Sequence, residues 1–311
     1  MIATGYRSLT QRVNAAARKS QRDTGRAVES FYLDRLLCRV FSEDEPSFVL
    51  KGGQSQLARR LVSRESRDID LVGRMTQVDE ALEELKRLAS KDLHDFIEFR
   101  FAGATPIPVS QEYRTGYAVE FIPILGGVRP LNRINVDLVV DETPPESYEL
   151  VSPASRLDID GLITFDYAVQ LIEERVADKV CATMQMYGGR PSSRVKDLVD
   201  LVASMLWDEI DASILSERLS REILLRHMGE INLFRVPDSW KTSGFEAFNS
   251  MARECGFPEG LCDVSGAEQA VAEWIAPVLD RTALGLRWDH EKKAWCSGMA
   301  SEPTCSIPPV R

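Results

Sequence analysis

The stretch FVLKGGQSQLARRLVSRESRDIDLVG, Phe48 to Gly73, constrains the chain more than any other. It reads as a short apolar strand, SFVL, a glycine pair, an amphipathic helix and a second strand, DIDLV. Glycines between an apolar run and a helix mark a place where backbone comes close to something bulky. Asp68 and Asp70 flank Ile69, and side chains at i and i+2 of a strand share a face. Both carboxylates therefore project together while Ile69 turns into the core. Two such anions repel each other and are stable in ionised form with a cation between them. Magnesium suits this setting, since it takes oxygen ligands and keeps positions for water and phosphate. A third acid on a neighbouring strand would complete a two-metal site. Asp137 in INVDLVV has that setting, and Glu120 in YAVEFIP is its rival, read more simply as an acid on the exposed face of an edge strand. A D-x-D pair alone is common in surface turns and caps, so the order of elements carries the signal.

Around this stretch the periodicities set out an α+β chain. Residues 8–20 and 26–41 have helical spacing, and 77–90 form a charged amphipathic helix. FIEFRFAG (96–103), YAVEFIPIL (117–125) and INVDLVV (134–140) read as strands. From Asp166 the pattern predicts a long helix to Tyr187, punctuated by GGRPSSR and resumed in VKDLVDLVASMLW, with further helices over 211–228 and 265–284. The expected organisation is a mixed-sheet domain with N-terminal helices over 1–160, a mainly helical domain over 161–300, and a frayed tail over 301–311.

Composition narrows the partners. Among 311 residues, 44% are hydrophobic and the net charge is −10, which argues against non-specific coating of nucleic acid. The charge is uneven: residues 1–67 hold 13 Lys and Arg against 7 Asp and Glu, leaving an acidic remainder. A basic front would let one face meet a polyanion, with Arg59, Arg60 and Arg64 as candidates for an RNA backbone; solvated helix faces explain them as well. No apolar run approaches the roughly 18 residues of a membrane span, and the start MIATGYRSLTQRV lacks a secretory segment. The six cysteines form no C-x-x-C pair and the three histidines lie far apart, which disfavours zinc and fits a reducing cytoplasm.

Strand, Gly-Gly, helix, D-h-D strand and a lone Asp in a later strand resemble the nucleotidyltransferase superfold of polymerase beta and the CCA-adding enzymes. FVLKGG, RESRDIDL, ADKVCA and SRVKDLVDL, in that order, narrow the resemblance to the AbiEii/AbiGii family of nucleotidyltransferase toxins, which includes the mycobacterial MenT toxins; it covers most of residues 5–205. The resemblance implies that Gly52 and Gly53 let a helix N-terminus approach a triphosphate, that Asp68, Asp70 and Asp137 hold two Mg2+ ions, and that Asp137 also helps deprotonate the acceptor hydroxyl. Ser66 and Arg67 fall within reach of the phosphates. The family's helix lysine lands on Lys179, which the resemblance makes a catalytic partner of the nucleotide's phosphates, and the Asp of R-x-K-D on Asp197, which would orient the nucleotide or Lys179; Arg194 joins the RNA-facing set. Bland readings stand beside these: Lys179 snorkelling to solvent, and Arg194, Lys196, Asp197 and Asp200 forming an exposed ion-pair network. Two glycines replace the Gly-Ser of many members, removing one hydroxyl contact to the phosphates.

The function so implied is transfer of a nucleoside monophosphate from NTP to the 3′ end of tRNA, blocking aminoacylation. The toxin would act in the cytoplasm within a toxin–antitoxin or phage-defence pair, restrained by an antitoxin encoded nearby. Two other classes stay open: transfer to a protein or small molecule, and a catalytically silent RNA-binding relative.

Overall fold

The computed structural model describes residues 2–20, 22–60, 66–107, 115–242 and 245–297. It divides into two compact units, residues 1–171 with 254–256, and residues 172–253 with 257–311. Arg64 and the tail 301–311 lie outside the described residues.

The first unit begins with α1 (Ile2–Lys19) and α2 (Thr24–Val40), which pack on each other. Leu9, Val13 and Ala17 fall one turn apart and are buried, so α1 presents a single apolar stripe. Asp23 caps α2 by accepting from the Arg26 amide at 2.9 Å. Then follow β1 (Phe48–Lys51), α3 (Gly52–Arg59), β2 (Ile69–Gly73), α4 (Val78–Ala89), β3 (Ile97–Pro106), β4 (Thr115–Leu125), β5 (Arg129–Pro130), β6 (Ile134–Val140), β7 (Glu149–Val151) and β8 (Tyr167–Val169). The sheet order is β3-β4-β6-β2-β1-β8-β7, with β5 beside β4. It is mixed: β2 runs parallel to β6, β1 parallel to β8, and β1 antiparallel to β2.

Burial along β2 and β6 locates the site. Ile69, Leu71, Val136 and Leu138 are fully buried, whereas Asp70 and Asp137 are half-buried and Asn135 is exposed. The later residues Val72, Val139 and Val140 are buried regardless of alternation. Both strands are thus sealed on two faces at their C-terminal ends and open on one face where they begin.

Two elements differ from the sequence reading. Tyr167–Val169 is a strand, and the helix expected from Asp166 starts at Ile172. All three of these residues are buried, Val169 pairs with Leu50, and the Tyr167 hydroxyl donates to Asp34. A short apolar run beside a helix carries no periodicity of its own, so sheet pairing decides its state. β4 is also not an edge strand, because it lies between β3 and β6. Glu120 therefore sits inside the sheet's open face, where Arg133 Nη1 donates to it at 2.6 Å.

Under the sheet lies a polar knot with no sequence signal. Arg35 and Arg39, fully buried one turn apart on α2, both donate to Asp95, at 2.7 Å from Arg35 Nε and 2.7 Å from Arg39 Nη2. Arg39 also reaches the Ile97 carbonyl at 2.7 Å and the Lys91 carbonyl at 2.9 Å. Burial pushes the Asp95 carboxyl up, but the Arg39 and Arg35 guanidiniums outweigh it and hold the group below its ordinary value.

The second unit contains α5 (Ile172–Met184), the hairpin β9 (Met186–Tyr187) and β10 (Arg190–Pro191), α6 (Val195–Trp207), β11 (Ile210–Asp211), α7 (Ala212–Leu225), α8 (Asp238–Thr242), α9 (Phe245–Glu254), α10 (Val264–Leu279), β12 (Leu286–Asp289) and β13 (Ala294–Ser297). The helical reading of its C-terminal part misses the sheet β11-β12-β13. Three tryptophans hold that sheet down, Trp288 lying 5.9 Å from Trp274 and 5.5 Å from Trp295, its cross-strand partner, between ring centroids.

Candidate active site

Gly52 opens α3 with φ at +67°, and a Cβ built there would stand 2.0 Å from Asp70 Oδ2. Only glycine leaves room for that carboxylate. The consequence is a fixed pairing of Asp70 with the start of α3. Lys51 precedes the helix as N-cap without a side-chain cap bond, so no side chain of the cap covers the first amides. Gly53, the second helical residue, is buried. An anion near these amides is favoured by their alignment, and Asp70 already exploits the same field.

Two of the three acids are placed by sheet register. Asp70 pairs with Asp137 across the parallel strands β2 and β6, and with Lys51 across β1 and β2. Asp68 lies just before β2, exposed, and accepts from Asn135 Nδ2 at 3.3 Å. Asn135 stands two residues before Asp137 and so shares its face; the alternation in INVD holds a signal for it that the sequence reading passed over. Lys51 stands at the site as the cross-strand neighbour of Asp70.

Two recesses use this face. One of about 540 Å³ is lined by Asp68, Asn135, Asp137 and Glu120 with the middle of β3. The other, of about 750 Å³, is lined by Ser66, Arg67, Asp68 and Asn135 together with the start of α2 and residues 129–134. Asp68 and Asn135 belong to both walls.

The donor set suits a hard dication, being all carboxylate oxygen on one open face. Among the described residues no three acidic, His or Cys side chains converge on one point. The part of the set fixed by backbone is the Asp70–Asp137 pair, with Asp68 at its flank.

The nearby basic residues behave differently from one another. Ser66 is tied to α3 through its carbonyl, which accepts from Gln54 Nε2 at 2.8 Å. Arg67 is exposed. Arg59, expected on an RNA surface, instead bonds Glu149 Oε2 at 2.6 Å and the Gln170 carbonyl at 2.9 Å, with its side chain 8% exposed. It clamps α3 to the β7 and β8 edge, so its guanidinium is spent inside the fold. Arg60 is half-buried, and burial, with the charge of Arg59, draws its pKa down to about 10.

In the second unit, Lys179 is buried rather than snorkelling. Its Nζ lies 2.6 Å from Asp200 Oδ2 and 3.0 Å from Asp197 Oδ1. Arg194 Nε donates to Asp197 Oδ2 at 2.6 Å. Both carboxylates are within 1% of full burial, so the network expected on a solvated helix face is sealed, with Lys179 at its centre. Two acids and two bases balance there. Lys196 is exposed and outside it.

A family model described as nucleotidyl transferase AbiEii toxin, type IV toxin–antitoxin system, matches residues 35–272. The chain belongs to this family. No curated protein matches it in sequence. Among solved structures it is similar to MenT4, a nucleotidyltransferase toxin of Mycobacterium tuberculosis H37Rv, at 19% identity over 67% of each chain with a TM-score of 0.48. It is also similar to JHP933 of Helicobacter pylori, at 14% identity over 83% of this chain and 94% of that one, with a TM-score of 0.44.

As an AbiEii protein the chain is a nucleotidyltransferase toxin, and a type IV toxin–antitoxin system implies an antitoxin as partner. No helix among the described residues is long and apolar enough to cross a membrane. The matched segment begins in α2 and ends in α10, so it takes in both the open acids and the sealed cluster around Lys179.

Proposed function

We propose that this AbiEii nucleotidyltransferase moves a nucleoside monophosphate from an NTP to the 3′ end of tRNA, blocking aminoacylation and so halting translation, and that an antitoxin encoded nearby restrains it. The observation that carries the reading is the pair of recesses sharing Asp68 and Asn135 as wall. A transferase needs two reactants side by side at one set of acids.

In this reading the α3 amides at Gly52 and Gly53, with Ser66 and Arg67, hold the triphosphate. Asp68, Asp70 and Asp137 hold Mg2+, two ions when the site is full, which neutralise charge on the phosphates and lower the cost of the displacement. Asp137 takes the proton of the acceptor 3′-hydroxyl as its oxygen bonds the α-phosphorus. The bond from that phosphorus to the α–β bridging oxygen breaks, and pyrophosphate leaves. Lys179 serves as a positioning residue that holds Asp197 and Asp200, with Arg194 closing the same cluster. The chemistry is mostly placement and charge neutralisation, so little further acid–base machinery is needed.

Incubation with each α-labelled NTP, total RNA and lysate protein tests the reading. Label on tRNA that is lost when EDTA is added supports it. Label confined to protein or small molecules, or no label with any NTP, overturns it.

A further inference from the structure

The larger recess beside Asp68 is basic. Five arginines line it, Arg22, Arg26, Arg67, Arg129 and Arg133, against two acids, Glu29 and Asp68. That surplus sits in a chain of net charge −10. The arginines come from three separate segments: the start of α2, the residue before Asp68, and the turn that carries β5. All but Arg22 are exposed. Arg22 spends one donor on the Ser155 carbonyl at 3.2 Å, and Arg133 one on Glu120 at 2.6 Å, which leaves each further N–H donors on a five-donor fork.

We propose that this recess is the track for the acceptor polynucleotide, taking the phosphodiester backbone of a single-stranded RNA end and leading it to Asp68. The inference rests on the nucleotidyl-transfer reading above. Charge spread over three segments suits a chain of phosphates better than one compact triphosphate; Arg67, assigned above to the triphosphate, stands where the two meet, and the other four arginines form the track. Half-buried Tyr32 and Leu131, with buried Leu33 behind them, supply apolar wall beside the arginines. Guanidiniums alternating with apolar and aromatic side chains are the combination that holds single strands without reading sequence. A local positive recess also lets an acidic protein find a polyanion without adhering to nucleic acid at large. The RNA surface thereby moves from Arg59, which is held inside the fold, to the other side of Asp68.

The test measures binding of a 5′-labelled single-stranded RNA and of tRNA without NTP, as a function of salt, for the full chain and for Arg26→Glu with Arg129→Glu. Arg253→Glu with Lys293→Glu, an equal reversal on exposed positions of the second unit, controls for net charge. Unfolding midpoints establish that both variants fold, and NTP affinity is measured separately. The expected result is a loss of RNA affinity of about tenfold or more in the cleft variant, with the log–log salt slope shallower by roughly 0.7 for each lost contact. NTP affinity should match that of the control. RNA affinity and slope equal to the control's would overturn the track, as would absence of RNA binding by the unaltered protein. Parallel loss of NTP affinity would also overturn it and assign the recess to the nucleotide's phosphates. The transfer reading fails separately, by the absence of NTP-dependent labelling of any acceptor.

Discussion

Aspartates are used in two opposite ways in the two units. Asp70 and Asp137 lie half-buried at the open end of a sheet, with Asp68 exposed at their flank. Asp197 and Asp200 are sealed and neutralised by Lys179 and Arg194. An acid pair on an open face stays within reach of a ligand, which in the transfer reading proposed above is a metal ion with its phosphates. The sealed carboxylates already have their cations, and desolvation makes removal of either partner expensive. The same side chain is thus left accessible in one unit and enclosed as a fixed part of the fold in the other.

The sharpest way to break this contrast is Asp70→Ala, for which the largest effect is expected: transfer abolished and fold retained. The unfolding midpoint of the variant is measured beside the assay, so that lost activity in a folded protein is told apart from a lost fold. An active Asp70→Ala protein, assayed with labelled NTP, would end the reading of the open face.

Lys179→Met should do the reverse and act first on stability. It leaves two buried carboxylates with one neutralising partner fewer, and a loss of about 3–5 kcal/mol is the usual cost of breaking a buried pair. Urea unfolding reads this directly. A midpoint like that of the unaltered protein, combined with loss of NTP use, would make Lys179 a nucleotide contact instead.

Asp95 sharpens the comparison from within the first unit, because it is sealed like Asp197. Its folded-state pKa is depressed, so its contribution to stability is complete above the ordinary aspartate value of 3.8 and is lost as pH falls below it. Acid unfolding of Asp95→Asn should therefore show less dependence on pH in that window than the unaltered protein. Equal slopes would show that the Arg35–Asp95–Arg39 knot does not titrate with folding.

The smallest effect is expected from Arg59→Ala. Loss of the bonds to Glu149 and the Gln170 carbonyl should cost about 1–2 kcal/mol, read by chemical denaturation, with RNA affinity unchanged. A weakened RNA complex at unaltered stability would return Arg59 to the acceptor surface.

Much of the open site was legible because its signals are local. An apolar run ending in a glycine pair, FVLKGG, and the alternation of DIDL lie within a few residues of each other, and INVDLVV places an acid where a core strand should have none. What escaped was decided at a distance. Arg59 looks like a solvated helix residue until Glu149 and Gln170 fold back over it. Arg35 and Arg39 look like a polar stripe on α2 until Asp95 arrives beneath them. Tyr167–Val169 is too short to state its own period, and its place beside β1 made it a strand. Lys179 showed its family likeness in sequence, but not that two aspartates would enclose it.

The register of β2 against β6 has a further consequence. Neighbouring strands lie about 4.7–4.9 Å apart, so the backbones bearing Asp70 and Asp137 are spaced by the repeat of the sheet itself. Loops joining the strands can lengthen, shorten or change composition without altering that spacing. A slip by one residue, however, would set Val136 or Leu138 opposite Asp70 and turn an acid inward. The separation between the two acids is therefore inherited from the backbone, while the surrounding loops and the arginine-lined wall are free to diverge as acceptors and inhibitors change.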